Sequence, residues 1–149
     1  MDGWEYDGPF DELEAARQVG GHTQIKELQH QSTQNAIQAH RVILWDEVGD
    51  EEGTGIVHIA PGCGAEDFQL SKPLHLPLLA TLDDEGVYVA GFGWLTGMHV
   101  SKVSELIFAN LREKGLLYEV KEYTHRYPVC WRCKTELVFR LVDEWFIRM

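Results

Sequence analysis

A sharp break at Pro61-Gly62-Cys63-Gly64 limits how this chain can fold more than any other feature. It follows an apolar run, GIVHIA at 55–60, and precedes an acidic helix start, AEDF at 65–68. Proline removes a ladder donor and glycine lets the backbone turn tightly. The expected local order is strand, turn, short helix ending before Pro73. Such a corner can bring His58, on the apolar run, to the same pocket rim as Asp67. Gly62 and Gly64 would let the backbone approach a ligand closely. A carboxylate at such a rim suits a substrate ammonium, and a neutral imidazole can contact a hydroxyl or orient a water. The residues alone also fit a plainer account, with His58 packed on its strand and Asp67 complementing the helix dipole.

Elsewhere the pattern is mixed. RVILW at 41–45 reads as a short buried strand, and 76–82 as another. DDEG at 83–86 signals a turn, with Val87-Tyr88-Val89 as the returning arm of a hairpin. The Gln-rich stretch 25–39 is either a weak helix or an exposed loop. The clearest helix is 101–114, capped by Ser101, with Val103, Leu106, Ile107 and Leu111 on one face. Gly115 stands where a left-handed residue ends it. Strands are expected at 116–120 and 137–142, flanking a knuckle at YPVCWRCK. Strands and helices in this order predict an α+β, β-rich domain.

Charge narrows the partners. The net charge of −11 rules out a chain that binds polyanions over its whole surface. Residues 1–52 carry 12 acidic against 3 basic groups, whereas 112–149 carry 8 basic against 6 acidic. The C-terminal third is the better candidate for nucleic-acid contact, through Arg126, Arg132, Lys134 and Arg140, although a scattered solvated set reads the same way. Trp94 and Trp131 either stack on bases or pack locally. No apolar run is long enough to span a bilayer, and the acidic start lacks a signal pattern. Three cysteines, an odd count, fit a reducing compartment, so a cytoplasmic location is expected.

Cys130 and Cys133 form a C-x-x-C pair able to grip one zinc ion, but a structural site needs four ligands. Spacing supports neither Cys63 nor His125 as the completion. An unmetallated turn remains open, and thioredoxin-like redox chemistry lacks its βαβ context. GFGWLTG at 91–97 is neither a P-loop nor a dinucleotide fingerprint.

The full run GTGIVHIAPGCGAEDF at 53–68 closely resembles a signature of the editing domain inserted in isoleucyl-, valyl- and leucyl-tRNA synthetases. Two further stretches agree in order: GFGWLTGM at 91–98 and THRYPVCWRCKTELVFRLVDEWFI at 124–147, the latter favouring the isoleucyl branch. The resemblance implies a barrel-like editing fold with peripheral helices. It implies that Asp67 anchors the α-amino group of a misattached amino acid and that His58 lies beside it, helping to reject the cognate side chain. The implied reaction is hydrolysis of Val-tRNA(Ile) by water attack on the aminoacyl ester, with no cofactor. A pocket that accepts isoleucine cannot strongly exclude valine, a limit for which isoleucyl-tRNA synthetase is itself the usual worked example. The implied partners are the tRNA(Ile) 3′ end and the remainder of the synthetase. Zinc would need ligands outside this chain.

The family's threonine-rich peptide followed by Pro-Trp-Thr does not occur here: Thr23, Thr33 and Thr54 are isolated. Signatures of an ATP-dependent aminoacylation site are likewise missing, so aminoacylation by this stretch is excluded. The expected division is a partial editing domain over 1–126 and a return segment with half of a zinc knuckle over 127–149. The alternative is a catalytically incomplete fragment that recognises the aminoacyl-adenosine end. A small redox or zinc protein built on the cysteines is a further reading. Exposed Trp145 and Phe146 would favour contacts between chains, and a homo-oligomer is an expectation on that ground.

Overall fold

The computed structural model describes residues 1–29, 32–49, 51, 53–145 and 147. Five regular elements position the site: α1 (Glu14–Arg17), β1 (Gly21–His22), α2 (Ala65–Leu74), β2 (Leu78–Leu79) and α3 (Ser104–Glu113). Single 3₁₀ turns at Lys26–Leu28, Ile37–Ala39, Gly93–Leu95 and Val100–Lys102 join them. The result is a small mixed α/β domain with a small open sheet. β1 and β2 pair in parallel, Gly21 opposite Leu78 and His22 opposite Leu79. Gly21 permits that approach, since a Cβ there would meet the Leu78 carbonyl oxygen at 2.2 Å.

The core gathers Leu13, Ala15, Phe92, Leu95 and Val103, with Phe10, Tyr88, Val89, Met98 and Ile107 packed around it. Phe92 meets His22 and Tyr88 in edge-to-face contacts, with centroids 5.5 and 5.9 Å away. α3 contributes Val103, only 2% exposed, and the partly buried Ile107. Burying a valine side chain fully is worth about 1.5–3 kcal/mol. Gly115 ends this helix at φ +69°, as its position predicts. Lys114 reaches back to the N-terminal segment, donating to the Pro9 carbonyl at 2.7 Å, pairing with Glu12 and lying over the Phe10 ring.

The turn at 83–86 forms as predicted. Asp83 Oδ1 accepts the amides of Glu85 and Val87, each at 2.9 Å, and Leu82 bridges Tyr88 in antiparallel sense. The start of that arm also pairs with His99 through Val87.

Other expectations need correction. RVILW forms no buried strand: Arg41 makes one bridge to Glu5, and Leu44 is 77% exposed. GIVHIA at 55–60 forms no strand: Gly55 lies in a bend at φ +70°, Ile56 and Val57 are exposed, and no bridge involves the run among the described residues. The stretches 116–120 and 137–142 are not strands either; Tyr118 is 98% exposed. Where neighbouring backbone does face these stretches the pairing stays isolated, as between Val42 and Trp4 at 2.7 Å and between Leu137 and Pro128 at 3.0 Å, and no ladder builds up. The expected strand 76–82 shrinks to Leu78–Leu79, with Leu76 taken up by the end of α2 and Leu82 by an isolated bridge to Tyr88.

α2 runs through Pro73 instead of stopping before it. The proline occupies the last turn, where one lost donor costs little, and left-handed His75 then closes the helix as Leu76 N–H reaches Ser71 O at 3.0 Å. Ser101 does not cap α3. It sits in the preceding 3₁₀ turn with its hydroxyl 2.8 Å from His99 Nδ1. Leu106 points outward, 42% exposed, so the predicted apolar face is narrower than its spacing implies. Of the Gln-rich stretch, left open as a weak helix or an exposed loop, the described residues form two short 3₁₀ turns, Lys26–Leu28 and Ile37–Ala39. Among the described residues no helix is long and apolar enough to cross a membrane.

Candidate functional site

His58 and Asp67 line one open cleft of about 690 Å³. The corner between them places both on this lining. Ala60 O accepts the amides of Cys63 and Gly64 at 2.9 and 3.0 Å, folding the Pro-Gly-Cys-Gly turn onto the first turn of α2. Asp67 then reaches back, its Oδ2 accepting the Ala60 amide at 2.9 Å. No cation pairs with this carboxylate among the described residues, and His58 is exposed.

The two glycines serve this corner rather than the cleft surface. A Cβ on Gly62 would stand 2.0 Å from the Leu79 carbonyl oxygen, so the turn packs directly against β2. A Cβ on Gly64 would come within 2.6 Å of Asp67 Oδ2. Neither glycine lines the cleft. Between them, Cys63 is pushed up by partial desolvation of its thiol and then by the Asp67 charge, although the residue as a whole is exposed. Burial and then the neighbouring Cys63 push the Tyr88 phenol up as well.

The rest of the lining was not marked by sequence reading. Glu47, Glu51 and Glu66 join Asp67 to make the cleft strongly anionic, and no lysine or arginine lines it among the described residues. Trp45, Val48 and Val57 supply apolar surface. Trp45 belonged to the run read as a buried strand. Its place at the end of that run, beside the acidic loop, was the available signal.

Cys130 and Cys133 lie on a tight knuckle. Cys130 N–H donates to Thr135 O at 2.8 Å, Lys134 N–H to Cys130 O at 2.9 Å, and Val129 bridges Glu136. Lys134 adopts the left-handed φ of +62°. Hydrogen bonding to the Thr135 side chain first, then to its backbone and to Cys130, lowers the Cys133 thiol to about 7. The Cys133 thiol donates to Thr135 Oγ1 at 3.2 Å, and two thiols at C-x-x-C spacing on one knuckle suit a zinc ion as half of a site. Among the described residues no third His, Cys, Asp or Glu joins them.

The basic set is dispersed. Arg140 pairs with Asp84 at 2.6 Å, and Arg132 lies over the Trp131 ring at 5.1 Å. Trp131 is 78% and Trp94 38% exposed. Trp145 is fully exposed, while Phe146, the other residue expected to favour chain contacts, lies outside the described residues.

No family model matches the chain. Comparison with curated proteins finds isoleucine–tRNA ligases. The protein of Pyrococcus horikoshii is 50% identical over 111 residues, covering 74% of this chain and 10% of that ligase. That of Methanocaldococcus jannaschii is 47% identical over 111 residues, again 74% and 10%. That of Methanococcus aeolicus is 43% identical over 110 residues, with the same shares. The chain thus spans about a tenth of the length of the relatives it matches, and is homologous to a segment of them.

Proposed function

We propose, from this homology to a segment of isoleucine–tRNA ligases, that the chain is part of the editing region of such a synthetase and serves hydrolysis of mischarged Val-tRNA(Ile). The observation that carries the reading is the shared cleft: an exposed imidazole and a carboxylate without a cationic partner line one anionic opening. In that reading Asp67 binds the α-ammonium of the misattached residue, its other oxygen being steadied by the Ala60 amide. His58 stands beside the ester and the terminal adenosine. It would orient the attacking water or contact a ribose hydroxyl. Water adds to the ester carbonyl, the tetrahedral intermediate collapses, and the terminal ribose oxygen leaves with a proton. Gly62 and Gly64 contribute to substrate binding by holding the corner.

The finer assignments belong to this proposal. The region 1–126 acts as a partial editing domain whose barrel-like fold closes within the longer synthetase. The segment 127–149 returns towards the synthetase body. Cys130 and Cys133 would supply half of a zinc knuckle, completed by ligands from elsewhere in that protein, and no step of the hydrolysis uses it. The partners are the 3′ end of tRNA(Ile) and the remainder of the synthetase, in the cytoplasm. A homo-oligomer through the exposed Trp145 is the remaining part.

A second reading follows from the openness of the cleft. The chain binds the aminoacyl-adenosine end without turning it over. Deacylation of Val-tRNA(Ile) by this chain separates the two. Turnover that Asp67→Ala abolishes supports hydrolysis; hydrolysis no faster than without protein, with retained binding of a valyl-adenosine analogue, supports the binding module.

A further inference from the structure

The geometry points to Trp45 as a specificity-determining residue of the cleft, its indole forming the wall against which the short aliphatic side chain of the misattached amino acid packs. This rests on the reading of the cleft as an aminoacyl-ester site.

Three observations converge. The half-buried Trp45 lines the cleft that also holds His58 and Asp67. The indole is uncommitted: Trp45 accepts the Val48 amide at 3.2 Å through its carbonyl, and its ring enters no hydrogen bond or ring contact among the described residues. The lining also combines two chemistries. Glu47, Glu51, Glu66 and Asp67 attract a cation, whereas Trp45, Val48 and Val57 offer apolar surface.

A ligand that satisfies both carries an ammonium and a small aliphatic group within a few bonds, as an α-aminoacyl ester does. With the ammonium on Asp67, the side chain must lie against the apolar lining. An indole is the largest and stiffest piece of that surface, with two side-chain torsions, and therefore fixes the space available. One methylene in an apolar pocket changes selection by about 10- to 200-fold. Valine then fits where isoleucine meets the ring.

The test measures binding rather than turnover, so it stands apart from the hydrolytic reading. Non-hydrolysable, amide-linked valyl-adenosine and isoleucyl-adenosine analogues are titrated into the full chain while tryptophan indole N–H resonances are followed by NMR. Trp45→Phe identifies the Trp45 signal by its loss. The expected result is a shift of that signal with the valyl analogue, and a preference for valyl over isoleucyl that falls about tenfold in Trp45→Ala and is largely kept in Trp45→Phe. An unmoved Trp45 signal, an unchanged preference in Trp45→Ala, or no binding of either analogue overturns the proposal. If Trp45→Ala does not fold, the wild-type shift and the Trp45→Phe preference decide alone. Binding with the expected preference but without deacylation would remove the hydrolytic reading and leave Trp45 in its role.

Discussion

Asp67, on the first turn of α2, accepts the backbone amide of Ala60 at 2.9 Å, closing the corner that separates it from His58. One oxygen of the carboxylate is therefore structural, and among the described residues its charge has no cationic partner. Asp67→Asn keeps an oxygen for the Ala60 amide and removes the charge. Its stability should stay within about 0.5 kcal/mol of wild type, whereas Asp67→Ala should lose about 1 kcal/mol through the lost hydrogen bond. A charge-assisted bond to an ammonium is worth about 1.5–3 kcal/mol, so Val-tRNA(Ile) deacylation should fall about 10- to 100-fold in Asp67→Asn. Urea denaturation alongside deacylation kinetics, in this chain and in a synthetase containing it, checks both halves. Full activity in the folded Asn variant would count against Asp67 as the anchor.

Gly62→Ala should be among the most damaging small substitutions. The added Cβ would lie 2.0 Å from the Leu79 carbonyl oxygen and 2.8 Å from its carbon, atoms that cannot move without breaking β2 from β1. The expected cost is about 1–3 kcal/mol, by overpacking. Gly115→Ala meets no atom within 4 Å and is strained only through its φ of +69°, so it should cost about 1 kcal/mol. Thermal melts of the two variants give the order; equal losses would contradict the packing argument.

The same corner shows how far the sequence could be read. The Pro-Gly break, the helix start after it and the placing of His58 and Asp67 on the lining of one cleft follow from local chemistry, because glycine, proline and an acidic first turn act within a few residues. The turn held by Asp83, the end of α3 at Gly115 and the knuckle at Cys130 are local in the same sense. Strands are not. GIVHIA and RVILW have strand composition, but a ladder needs an edge supplied from elsewhere, and no local pattern reveals whether one is there. Trp45 was misplaced for that reason: an apolar residue in a run reads as core, while its actual surroundings are set by the acidic loop folding towards α2. Pro73 misled in the opposite direction, since a helix ends on proline only where the lost donor matters.

Lys114 gives a pH-dependent case. Its hydrogen bond to Glu12 holds that carboxyl below its usual range. A depressed folded value means the pair's contribution is complete above the unfolded carboxylate value, about 4.3, and disappears as pH falls through the folded value. Glu12 is 48% exposed, so solvent screening keeps the pair's share below about 1 kcal/mol. The bond to Pro9 O and the contact over Phe10 do not titrate in this range. Lys114→Met should therefore lose about 1 kcal/mol at pH 7, with part of that gap closing below pH 4. Urea midpoints at pH 7, 5 and 3.5 measure it, and a gap that widens on acidification would exclude the assigned pairing.

The two exposed cysteines should separate by reactivity in the metal-free chain. Cys133 is brought to about 7 chiefly by the Thr135 hydroxyl, while Cys63 is pushed up by desolvation and by Asp67. At pH 7 about half of Cys133 is thiolate, against a few per cent or less for a thiol at or above its ordinary value of about 8.5. A lower pKa also weakens the nucleophile, so the rate advantage is smaller than the ratio of thiolate populations, about 5- to 10-fold. Iodoacetamide labelling followed by peptide mass spectrometry should show Cys133 modified first at pH 7, with its rate half-maximal near that pH. Thr135→Val removes the hydroxyl without changing the side chain's size, and should move that midpoint up while leaving Cys63 unaffected. If the valine variant labels with the wild-type profile, the hydroxyl is not what activates the thiol, and the knuckle owes its reactivity to the backbone and Cys130 instead.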